Sequence, residues 1–234
     1  MLHMGKTLRI TGITFMSLTA FLTLIGGAGT TCVALGAENY DSMAAIEPYK
    51  WLYILFVLAT ITIGVMMVRA VVLLIQGRAN AYRYSLISMV FGIVVGGIHM
   101  AVSRSLRGSS MPVDAVVYIT VLTLIIFLLF HLPPIWQKVN DDKAGRESGS
   151  VGPPAVAISL LLIGLLTLTV QFWAGPSHTF DGANWADAWH LSMNLAGWGL
   201  VLSGAGVLVF WLVNHRFGFL SWQRDHSTRT YRIP

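Results

Sequence analysis

Six stretches of this chain are apolar over about the length of a bilayer-spanning helix: residues 10–34, 51–75, 84–103, 114–132, 155–174 and 189–213. Among Asp, Glu, Lys and Arg, only Arg69 and Asp114 fall inside them. A hydrocarbon core of about 30 Å takes roughly 20 residues of helix. Inside it every backbone N–H and C=O needs an internal partner, and helices supply those partners one segment at a time. The runs therefore predict an all-α integral membrane protein, a bundle of about six transmembrane helices forming a single polytopic domain over residues 1–234. Composition agrees. The chain is 55% hydrophobic and 11% charged, whereas soluble domains carry about 25% charged residues.

Charge between the runs predicts an orientation. With a cytoplasmic N-terminus, the inner side holds Lys6, Arg9, Arg78, Arg83, Lys138, Lys143, Arg146, Arg216, Arg224, Arg229 and Arg232, with Arg69 close by. The outer side holds Lys50, Arg104 and Arg107. This positive-inside bias places both termini in the cytoplasm and the protein in the plasma (cytoplasmic) membrane. The formal charge of +5 is thus spread over membrane loops and forms no patch for nucleic acid; the partner it implies is the lipid bilayer. Residues 138–153 read as a mobile cytoplasmic loop and 214–234 as a basic cytoplasmic tail. Tyr49, Trp51 and Tyr53 read as an aromatic belt at the membrane interface, and Arg69 as an anchor whose head snorkels to the inner interface. The first run exceeds the 7–15 residues or so of a signal h-region, so it reads as a retained span. Its "GGAGTTCVALGA" is the segment with residues small enough for a signal peptidase. The single cysteine, Cys32, excludes an intramolecular disulfide.

Small residues predict where helices meet. Gly92 and Gly96 have GxxxG spacing on the third run, and Gly199 and Ser203 share that spacing on the sixth. Such pairs let backbones approach closely, either within the chain or at a homodimer seam. Pro133 and Pro134 lack N–H groups, so the fourth helix should end or kink near Leu132.

Few groups can carry chemistry. His99 is an ionisable side chain deep in a run, a functional candidate by position. His99 and His190 sort to the outer side, and His131 and His215 to the inner. A haem b held between helices needs imidazole pairs of that kind, and these four are the cofactor-binding candidates of a redox reading. Against it, about 37 Å of helix separates His190 from His215, which puts both at the edges of the hydrocarbon. In span count the chain resembles cytochrome b561-type proteins, which would imply a haem-linked subunit, but no ligand motif of that family matches here. The favoured expectation is a neutral His99 that binds no haem. It would hydrogen-bond to Thr30, Thr31, Ser192 or Asn194 on a neighbouring helix. A second constellation joins His178, Asp181, Asp187 and His190, with Asp187 and His190 on one helix face. It could hold Zn²⁺ or a similar cation if Cys32, Glu38 or Asp41 approached; Asp–His hydrogen bonds in a wet loop are the simpler expectation.

The sequence has no GxSxG or HExxH and no pair of intramembrane carboxylates. The expectation is therefore a non-enzymatic scaffold or subunit of a membrane complex with no cofactor. The alternatives are a haem- or quinone-linked redox subunit and a small-solute transporter working through the glycine-rich first and sixth helices.

Overall fold

The computed structural model describes residues 4–39, 41–139, 148–173, 179–180, 183–184, 187 and 189–229. Its main elements are α1 (Met4–Gly36), α2 (Lys50–Ile75), α3 (Ala81–Arg107), α4 (Val113–Phe130), a short α5 (Pro133–Val139), α6 (Ser148–Leu168), a single turn α7 (Val170–Trp173) and α8 (His190–Arg229). Two 3-10 segments, Ala37–Asn39 and Asp41–Tyr49, join α1 to α2, and a two-residue ladder pairs Thr179–Phe180 with Ala183–Asn184. Six helices are long and apolar enough to cross a membrane, and each falls on one of the six runs.

Helices α1 to α4 close a four-helix ring in which α1 packs on α2, α2 on α3, α3 on α4 and α4 back on α1. The centre is Met16, Ala20, Ile63, Met67, Ala70, Met89 and Phe127. Helix α6 lies on the outside of α1, and α8 packs chiefly along α6. The molecule is thus a bundle of four with a hairpin of two at its flank.

Small residues set the crossings by letting helix backbones approach closely enough for dispersion contacts. An ideal Cβ on Gly64 would meet Leu24 Cδ2 at 2.5 Å, one on Gly92 would meet Met67 Cε at 2.8 Å, and one on Gly96 would meet Val117 Cγ2 at 2.8 Å. Gly92 and Gly96 thus pack inside the chain, against α2 and α4. Gly199 and Ser203 make no such crossing within the chain. A Cβ on Gly199 would meet nothing within 4 Å, and Ser203 is exposed. Gly197 and Gly204 face α6 instead, against Leu168 and the Ala157 carbonyl.

Boundaries differ from expectation in three places, each for a local reason. Residues 148–153, read as loop, form the first turns of α6. Val151 and Ala155 are buried there with Ile10 and Ile13, and burial outweighs the loop-like composition. The fifth run is interrupted at Thr169, whose hydroxyl donates to the Leu165 carbonyl at 2.8 Å, while Trp173 Nε1 donates to the Leu166 carbonyl at 3.1 Å. The backbone of α8 continues to Arg229, so most of the tail from residue 214 is helical. The stop before the two prolines is as expected: α4 ends at Phe130 and α5 starts at Pro133.

Candidate functional site

The ring of four helices carries a polar or aromatic cluster at each end. At the end where α3 turns into α4 sits His99. It is only 4% exposed. Phe56 of α2 stacks on its ring at 4.4 Å and 15°, and Tyr53 meets it edge-on at 5.3 Å. Tyr53 is itself buried, and its hydroxyl shares a 2.8 Å hydrogen bond with Ser103 Oγ on α3. This corrects the aromatic-belt reading. Tyr49 and Trp51 are exposed as expected, but Tyr53, two residues and roughly 200° further round the helix, points into the bundle.

The expected hydrogen bonds to His99 are also replaced. Thr30 and Thr31 donate to the Gly26 and Gly27 carbonyls of their own helix, at 2.8 and 3.1 Å. Asn194 donates to the His190 carbonyl at 2.9 Å. Ser192 and Asn194 both belong to α8, which packs chiefly on α6. No described residue makes a hydrogen bond to the His99 ring. The ring instead borders two small cavities of about 30 Å³ each. One reaches toward the centre of the bundle past Thr23, Thr60, Gly96 and Thr120. The other reaches toward the α3–α4 turn past Tyr53, Ser103, Arg107 and Pro112.

The turn itself is tied by charge. Arg104 donates through Nε to Ser110 Oγ and through Nη2 to Asp114 Oδ2, both at 2.9 Å, and Ser110 also hydrogen-bonds Asp114. Arg107 differs. Its Nη2 reaches the Met111 carbonyl at 3.5 Å, while its buried Nε has no partner among the described residues. Nearby, Glu38 pairs with Lys50. The hydrogen bond from Lys50 holds the Glu38 carboxyl below its ordinary range.

At the opposite end, Tyr82 of α3 stacks on His131 at 5.4 Å and on Phe127 at 5.8 Å, and Trp136 of α5 meets it edge-on at 4.9 Å. The Tyr82 hydroxyl donates to the Phe127 carbonyl. The reason lies at the helix end. The His131 N–H, which would close on Phe127 within a regular α-helix, bonds the Leu128 carbonyl instead. Beside this cluster lies a cavity of about 120 Å³ lined by Arg9, Arg78, Tyr82, Phe130 and Trp136, with no acidic side chain among its described lining. Arg69 lies over the Tyr84 ring at 5.3 Å, a cation–π contact where the sequence suggested only snorkelling.

Of the outer pair in the redox reading, His99 is buried within the ring of four helices and His190 lies on α8, which packs chiefly on α6; the inner pair, His131 and His215, falls partly outside the described residues. His99 and His131 sit at opposite ends of the ring. His190 is exposed on α8, where Nδ1 contacts Gln171 Oε1 at 3.1 Å and Nε2 contacts Asn194 at 2.9 Å. His215 lies on α8, and its side chain is outside the described residues. Of the metal candidates, His178 and Asp181 also lie outside them, and Asp187 is exposed. Among the described residues no three His, Cys, Asp or Glu side chains gather as a metal site would require. The cavity shared by His99 and Arg107 and the Tyr82 cluster were not visible in the sequence. The one signal for the latter was an aromatic residue beside the double-proline stop.

Fold and sites together define a helical-bundle protein with six helices long and apolar enough to cross a membrane. No family model, no curated protein and no solved structure matches the chain.

Proposed function

We propose that this protein is a non-enzymatic structural subunit of a membrane complex, inserted in the cytoplasmic membrane with both termini inside, and that α8 is its docking helix. One observation carries the reading. Helix α8 has two small-residue faces, and the molecule uses only one. Gly197 and Gly204 are spent on the crossing with α6, whereas a Cβ on Gly199 or Gly206 would meet nothing within 4 Å. Ser192, Ala196, Gly199, Ser203 and Gly206 recur at three- and four-residue intervals, which places them along one stripe, and all five are exposed. In lipid, glycine on an open helix face forfeits side-chain packing that a larger apolar residue would supply. A second helix seated on the stripe would recover it by backbone approach.

The test is a photo-crosslinker at Gly199 in native membranes. An adduct with another polypeptide supports the reading, and its mass separates a second copy from a different subunit. Adducts with lipid alone refute it. Orientation is checked by a reporter fused after Pro234, which should be active only in its cytoplasmic form.

A further inference from the structure

We propose that one small hydrogen-bond acceptor, a water molecule or a monatomic anion, is held between Arg107 and His99 in the cavity beside the α3–α4 turn. Two independent observations meet there. His99 is only 4% exposed, and its ring has no hydrogen-bond partner among the described residues. Arg107 Nε is buried and also without one. Both residues line the same cavity. A buried polar group that has left water needs a replacement partner, and a membrane interior makes that requirement stricter. The two are not hydrogen-bonded to each other, although Arg107 Nε–H is a donor and a neutral imidazole offers one donor and one acceptor. A small group that accepts from both Arg107 Nε–H and the imidazole N–H gives each donor its partner.

Size and charge narrow the ligand. A cavity needs about 10–15 Å³ of this measure to hold one water, so about 30 Å³ admits one or two water-sized groups and excludes a polyatomic oxyanion. The neighbouring carboxylate cannot neutralise Arg107, because Asp114 is engaged by Arg104 and Ser110. Among the described residues Arg107 has no acidic partner. The Tyr53 and Ser103 hydroxyls that line the cavity are bonded to each other and the Thr30 hydroxyl to its own helix, so among the described side chains lining it the unpartnered polar groups are those of Arg107 and His99. Water and chloride share the required chemistry, and the experiment separates them. The inference is independent of the docking role given to α8.

The full chain is examined in detergent with chloride as the probe, replaced by gluconate at constant ionic strength. A melting temperature that rises with the logarithm of chloride concentration, in wild type but not in Arg107→Gln, identifies an anion. If chloride has no effect, ¹⁵N-histidine labelling decides. A cross-peak between the His99 ring N–H and water, assigned by its loss in His99→Phe, identifies water. His99→Gln serves for the assignment if the phenylalanine variant does not fold. Both signals are recorded on wild type, and the variants serve to assign them. No chloride dependence together with no water cross-peak overturns the proposal.

Discussion

Replacing Gly164 by alanine adds one methyl group at a close crossing of α6 and α8. The new Cβ would sit 2.7 Å from Val201 Cγ2, 2.9 Å from the Gly197 carbonyl oxygen and 2.9 Å from the Val201 nitrogen. Two of these are backbone atoms, so no rotamer change relieves the contact. The helices must separate by about 0.5 Å, from 2.9 Å to the 3.4 Å at which ordinary contact begins. A gap of that size forfeits roughly a quarter to a half of each dispersion well of about 0.1–0.2 kcal/mol. Over about 40 atom pairs, the number one buried leucine makes, the loss is roughly 1–4 kcal/mol. Overpacking in general costs a similar 1–3 kcal/mol or so. At roughly 2–4 °C per kcal/mol for a chain of this size, Gly164→Ala should melt several degrees below wild type. The assay is thermal unfolding in detergent followed by tryptophan fluorescence, to which Trp173 and Trp198 beside the crossing contribute. Gly199→Ala is the matched control, since its Cβ meets nothing within 4 Å. If the two variants melt alike, α6 and α8 do not cross as described and the packing argument fails.

Gly96→Leu should lower thermal stability, by about 1–3 kcal/mol, because its Cβ meets the stiff Val117 side chain, while Gly97→Leu should be tolerated because that position opens onto free space. Equal effects in the same melting assay would refute the assignment of faces on α3. Tyr82→Phe removes the hydroxyl that satisfies the Phe127 carbonyl, and should cost about 0.5–1.5 kcal/mol; wild-type stability would show that the carbonyl finds another donor. For the exposed Glu38–Lys50 pair the sign follows from a carboxyl held low by Lys50. Any stabilisation is present above the ordinary carboxylate range and is lost as pH falls through the folded-state value. The stability difference between wild type and Glu38→Gln should therefore be small near neutrality and vanish in acid. A difference that grows in acid would contradict it.

The sequence by itself determined the number of apolar helices, their approximate ends and the stop before Pro133. These follow from local facts: uncharged length, the missing N–H of proline, and the need to satisfy a backbone within its own segment. It also singled out His99, by the rule that an ionisable group at depth is costly. It could not say what His99 touches. The rings of Phe56 and Tyr53 arrive from another helix, and which residue of a uniformly apolar helix faces inward depends on its rotation. The same limit explains the small residues. Gly197 and Gly199 are two positions apart, about 200° around the axis, so one meets α6 and the other faces outward. No local pattern ranks them, because lipid and protein interior are alike apolar and the hydrophobic periodicity that orients a soluble helix is absent. Tyr53 was misplaced for that reason too. Residues 148–153 were misread as loop because only the tertiary structure shows Ile10 and Ile13 covering Val151. The His99–Arg107 cavity likewise exists only once α1, α2, α3 and the α3–α4 turn are assembled around it.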